Sequence, residues 1–153
     1  MGTSEGLRPL LQNLERIRPA GSSDIEATIH ELAGMIRSRS LVVVISDLLQ
    51  DPKKIIRGMR HLHHDGHNIL VLHVLDAGER ALSFGGIAEL RELETGHRMV
   101  VEIEEIKDAY RAAVEQYLTD LRLGCTECMA DYHLIDTRAS VEETLTHISH
   151  RPW

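Results

Sequence analysis

The stretch Ser40-Leu-Val-Val-Val-Ile-Ser-Asp47 decides the fold. It is a short block of β-branched and aliphatic residues that ends in a carboxylate. A continuous apolar run of this length reads as a strand buried on both faces, as in a parallel sheet covered by helices. Its closing Asp47 falls where open α/β sheets bind ligands, in the crevice beyond the strand ends.

Downstream, Asp51-Pro52 starts a helix, with proline at the favoured first position. Ile55, Ile56, Met59 and Leu62 form its apolar face, and Asp65-Gly66 ends it. A strand over Asn68–Leu75 follows and closes on Asp76. This strand–helix–strand unit has the length of a right-handed parallel crossover. Upstream, Leu7, Leu10, Leu11, Leu14 and Ile17 make one stripe of a short amphipathic helix that Pro19 stops. Ser23, with Glu26 three residues on, reads as the capping box of a second helix running to about Arg37. Ile25, Ile29, Leu32, Ala33 and Ile36 point inward on it.

Residues 81–102 break the pattern. Ile87–Leu93 and Arg98–Glu102 read as a hairpin around Glu94-Thr-Gly-His97. A long helix runs from about Ile103 to Leu123 and stops at Gly124. Asp131–Ile135 is a further strand, ending in Asp136-Thr137, and Ser140 caps a closing helix through about Ile148. The expected architecture is one α/β domain over residues 1–153, with a parallel sheet of about three strands and an inserted β-hairpin.

The chain has 153 residues, 42% hydrophobic and 27% charged, which is ordinary for a globular domain. A net charge of −7 argues against non-specific binding to nucleic acid or anionic membranes. Aromatics at 3% argue against base-stacking platforms. No apolar run approaches the ~18 residues of a membrane-spanning helix, and the start lacks a signal-peptide pattern. Two cysteines make no disulfide framework. A cytoplasmic location is expected.

Asp47, Asp76 and Asp136 each end a strand, so a parallel sheet gathers them on one edge with Ser46, His73 and Thr137. Such oxygens suit a hard cation; equally, Asp commonly ends strands and starts turns. Cys125-Thr-Glu-Cys128 is a lone pair that follows a helix, so the thiol-activating helix N-terminus is missing. It reads as reduced, structural or surface cysteine. His61, His63, His64 and His67 gather at a helix C-terminus, where the dipole favours them, and read as a solvated face. No phosphate loop, dinucleotide fingerprint or serine-hydrolase elbow occurs.

The ordered set Arg18-Pro-Ala-Gly-Ser-Ser-Asp-Ile25, Ser40–Leu48, Gly66–Asp76, Leu93-Glu-Thr-Gly96 and Asp131–Thr137 resembles the bacterial family catalogued as domain of unknown function 58. That resemblance implies part of a von Willebrand factor A-like, Rossmann-like three-layer sandwich, often associated with MoxR-type AAA+ ATPases. It also implies a metal-ion-dependent adhesion site. Ser23 matches the threonine position of that site and Asp47 the strand-ending aspartate. The DxSxS loop is absent and is expected upstream of Met1, in a longer protein. The site in this chain is therefore expected to be weak and incomplete, with no cofactor held, and magnesium possible only in the complete domain.

The expected function is a non-enzymatic protein-interaction module that presents Asp24, Ser46, His73, Asp76, Asp136 and Thr137. Its partner is expected to be a MoxR-type ATPase or its client. The apolar edge strand Leu41–Ser46 is expected to pair two copies, unless the leading helix folds over it. The alternative is a magnesium-dependent phosphoryl-transfer enzyme using Asp47 and Asp136. Against it, Leu49 stands where a second carboxylate would follow Asp47. A dithiol or zinc protein through Cys125 and Cys128 ranks lowest.

Overall fold

The computed structural model describes residues 4–18, 24–91 and 96–149. The element order is α1 (Ser4–Arg16), α2 (Ile25–Met35), β1 (Leu41–Ser46), α3 (Pro52–His64), β2 (Asn68–Leu75), α4 (Ala77–Ala81), β3 (Ile87–Arg91), β4 (Arg98–Glu102), α5 (Ile103–Glu127), β5 (Asp131–Asp136) and α6 (Val141–Ser149). β1, β2 and β5 form a parallel sheet in the order β1-β2-β5. Leu41 pairs with Asn68 and Ser46 with His73; Leu70 pairs with Asp131 and Leu75 with Asp136. β3 and β4 form a separate antiparallel hairpin. This is a mixed α/β fold, a partial Rossmann-like arrangement with an inserted hairpin. No helix among the described residues is long and apolar enough to cross a membrane.

Local chemistry explains most boundaries. Asp51 accepts a hydrogen bond from Lys53 N at 2.9 Å, and Pro52 opens α3. At the other end Gly66 takes φ +84°, the left-handed conformation that a glycine adopts without strain. Gly66 N then bonds the His63 carbonyl at 2.9 Å and His67 N bonds that of Leu62 at 3.1 Å, closing a Schellman turn. His67 is therefore not part of a solvated face. It is buried, and its Nδ1 accepts from Ser40 N at 3.2 Å, fastening this turn to the start of β1.

Three expectations need correction. Asp24, not Ser23, caps α2, its carboxylate accepting from Ala27 N at 3.0 Å; Ser23 lies outside the described residues. Residues 77–81 form α4, capped by Asp76, where the sequence suggested no helix. The first hairpin strand is described over Ile87–Arg91, and its expected end at Leu93 lies outside the described residues. Finally, α5 does not stop at Gly124 but continues to Glu127. A Cβ at Gly124 would fall well inside contact distance of the Ile56 side chain. The glycine is a packing device that lets α5 approach α3, and helix geometry tolerates it there.

One core unites the sheet with α2, α3 and α5. Val42, Ile69 and Val71 meet Ile29, Ala33, Ile55, Met59, Leu62, Leu121, Cys125 and Cys128. The register places Val42, Val44, Ile69, Val71 and Tyr132 on this one face. The other face is open along β1: Leu41, Val43 and Ile45 are 46%, 46% and 67% exposed. β1 is thus buried on one face only, contrary to its continuous apolar run. β2 is the strand buried on both faces, with Ile69, Leu70 and Val71 consecutively hidden. The leading helix does not cover β1, since Leu7, Leu10, Leu11 and Leu14 remain about half exposed themselves.

Both cysteines are free and buried. Burial pushes the Cys125 thiol up to about 12. Cys128 Sγ donates weakly to the Ile56 carbonyl at 3.8 Å. Such thiols are poor nucleophiles, which supports a structural role.

Candidate functional site

The parallel arrangement puts the ends of β1, β2 and β5 on one edge of the sheet. At β1 the chain turns sharply. Leu48 takes φ 52°, unusual for a bulky residue, yet its side chain is fully buried. The Tyr117 hydroxyl on α5 reaches the carbonyls of Leu48 and Gln50 and holds this turn. Gln50 Oε1 accepts from Ile25 N at 3.1 Å, which brings the start of α2 to the same edge. The Asp24 carboxylate is committed there to its cap.

Asp47 stays exposed, its carboxylate taking long contacts of 3.4 Å from the Ser46 hydroxyl and Leu49 N. Ser46 Oγ accepts from Leu48 N at 3.0 Å. Asp76 is bound more tightly. The Thr137 hydroxyl donates to it at 2.7 Å and Gly78 N at 2.6 Å, and these bonds, the first above all, lower its pKa. Asp136 is gripped by the Arg138 guanidinium at 2.9 and 3.1 Å, which holds its carboxyl at about 2.

His73 is 1% exposed. Its Nδ1 meets the Tyr132 hydroxyl at 2.7 Å, and its ring stands edge-on to Tyr117. Burial pushes its pKa below the ordinary value; the Asp47 main chain and carboxylate oppose this more weakly. Nε2 is buried and closes no hydrogen bond of normal geometry.

The seven residues expected at this edge thus divide into groups. Asp76, Asp136 and Thr137 form one polar cluster between β2 and β5. Asp47 and Ser46 form another beyond β1, His73 lies beneath, and Asp24 joins through α2. Among the described residues no three His, Cys, Asp or Glu side chains come together to hold a metal ion. Asp47 with Ser46 supplies two oxygens, fewer than a magnesium or calcium centre takes from protein and water together. Among the described residues, which leave out Ser23, the donor set falls short of a metal centre.

The sequence reading missed two cavities on this edge. One, of about 630 Å³, lies between β2, α4 and α5 and is lined by His73, Glu79, Tyr110, Val114, Tyr117 and Leu118, among others. The other, of about 520 Å³, is lined by Arg80, Arg111, Arg138, Glu115 and Asp136 over an apolar floor. Tyr110, Val114, Tyr117 and Leu118 fall at helical spacing, a legible signal. The arginines come from α4, α5 and the turn after β5, and nothing in the linear order brings them together.

Comparison with curated proteins gives no match, and comparison with solved structures gives none. The family model described as Protein of unknown function DUF58 matches residues 2–120, most of the chain and everything from α1 into α5. That match covers well over half of the chain, and the chain belongs to the DUF58 family.

Proposed function

We propose that this chain is a non-enzymatic protein-interaction module, von Willebrand factor A-like in design. The observation that carries this reading is the uncovered apolar surface at the free edge of the sheet. β1 pairs with β2 on one side and, among the described residues, with nothing on the other. Its Leu41, Val43 and Ile45, with Leu49 in the following turn, are exposed together. Clustered exposed apolar side chains on an edge strand mark a surface that another polypeptide covers.

Two copies joined through the β1 edges would extend the sheet across a two-fold axis. The family resemblance makes a MoxR-type AAA+ ATPase, or its client, the partner class for the strand-end face. In that reading Asp47 and Ser23 are the surviving positions of an adhesion site whose magnesium belongs to the complete domain.

Sedimentation velocity at micromolar concentration tests the self-association. The wild-type chain is expected to sediment as a dimer, and Val43→Lys, which places a charge on the edge strand, as a monomer. A wild-type monomer would remove the pairing from the proposal.

A further inference from the structure

The two cavities at the carboxyl edge share Leu75 and Arg80, so they form one groove. Its larger half, about 630 Å³, falls within the usual size of small-ligand sites. Tyr110, Val114, Tyr117 and Leu118 make its wall apolar and aromatic. His73 also lines it, and among the described residues its buried Nε2 closes no hydrogen bond of normal geometry, the Asp47 main chain being a weak neighbour. A buried polar atom left open beside an apolar cavity is a polar contact point for an occupant.

The smaller half supplies charge. Arg80 is paired with Glu115 at 2.8 Å and Arg138 with Asp136 at 2.9 Å. Arg111 gives its Nε to the Ala81 carbonyl at 2.9 Å and, among the described residues, has no carboxylate within ion-pair distance. Arg111 is thus the guanidinium of this half left for an acid, while Asp51 and Glu79 of the larger half bring the carboxylates along the whole groove to four against three guanidiniums. A single available guanidinium suits a monoanion better than a phosphate dianion, which would face Glu79, Glu115 and Asp136. A planar guanidinium fork also matches a carboxylate geometrically.

We propose that this groove binds a carboxylic acid with an apolar or aromatic body. The carboxylate lies on Arg111, and the body lies against Tyr110 and Tyr117 with His73 beneath. The groove runs from the turn after β1, where it shares Leu49 with the exposed edge surface, to the end of β5. Acid binding is tested at Arg111 and self-association at Val43, so the two are read separately. Failure of one leaves the other standing. The acid can be a free small molecule or the terminal residue of a polypeptide, since both offer the same carboxylate and side chain.

Amide chemical-shift titration of the whole chain tests this. The probes are 4-phenylbutyrate and its primary amide, and the peptide Gly-Gly-Phe with a free or an amidated C-terminus. The free acids are expected to bind at least about tenfold more tightly than the amides, as loss of a charge-assisted hydrogen bond implies. Shifts are expected at the end of β2, in α4 and along the Tyr110–Leu118 face of α5.

Arg111→Gln is expected to abolish the preference for acid over amide, and Arg111→Lys to restore part of it. Ala113→Trp, at an exposed position on the groove wall, is expected to block both forms by filling the apolar half. Thermal melts of each variant confirm that the fold is retained. A tighter peptide acid identifies a chain terminus as the source, and a tighter phenylbutyrate identifies a small molecule. Equal affinity for acid and amide, shifts elsewhere, no binding, or unchanged binding by folded Ala113→Trp would overturn the proposal.

Discussion

β1 and β2 lie side by side in register and are written in nearly the same alphabet, yet they occupy different environments. β2 buries Ile69, Leu70 and Val71 in succession, whereas β1 hides Val42 and leaves Leu41, Val43 and Ile45 in solvent. The difference is one of neighbours. β2 has a strand on each side, while β1 has one among the described residues. An apolar run therefore records the burial a strand is built for, and on β1 that burial is met on one face only. The contrast is what makes β1 an interaction surface and β2 a core element.

The largest expected effect breaks the contrast directly. Leu70→Ala should cost about 2–5 kcal/mol in urea unfolding, the range for a buried leucine. Leu41→Ala, on the same face of the neighbouring strand, should cost less than about 1 kcal/mol in a monomer. If Leu41→Ala costs as much as Leu70→Ala, and its cost falls on dilution, a second copy covers β1. If it costs as much at every concentration, β1 is not the exposed strand described above.

Gly124→Ala should follow in size, at about 1–3 kcal/mol, because its new methyl must displace Ile56 between α3 and α5. That measurement sets how rigid the covered side of the sheet is. A change within about 0.5 kcal/mol would show that the helix pair yields easily.

A subtler test uses protons. His73 at the end of β2 is buried with its pKa below the ordinary 6.5. The unfolded chain then binds the proton more readily than the folded one. Stability is complete above about pH 6.5 and falls as the pH drops from there toward the folded value. His73→Gln should flatten that slope in urea midpoints. A slope that survives His73→Gln would locate the buried titration elsewhere.

Much of this fold was legible in the sequence. The bounds of β1, β2 and β4 and the caps at Asp51 and Ser140 follow from apolar runs and cap chemistry that act locally. Misreadings came where a distant contact overrides a local signal. Gly124 looks like a helix stop until Ile56 is placed against it. His67 looks solvated until Ser40 is brought beside it. Ser23 and Asp24 are equivalent caps by composition, and only the backbone conformation chooses between them. The strand-ending aspartates could be placed on one edge by topology alone. The groove around Arg80, Arg111 and Arg138 could not, since its charges converge only after α4, α5 and β5 are assembled.

The pairing of β2 with β5 has a temporal consequence. His73 and Tyr132 touch across a separation of 59 residues, so this closure carries a larger chain-entropy cost than the β1–β2 unit. During synthesis the second edge of β2 stays bare until the hairpin and α5 have emerged. The family match ends at residue 120, before β5. A polypeptide limited to the matched residues would expose on β2 what the full chain exposes on β1, and the nascent chain passes through that aggregation-prone state every time it is made.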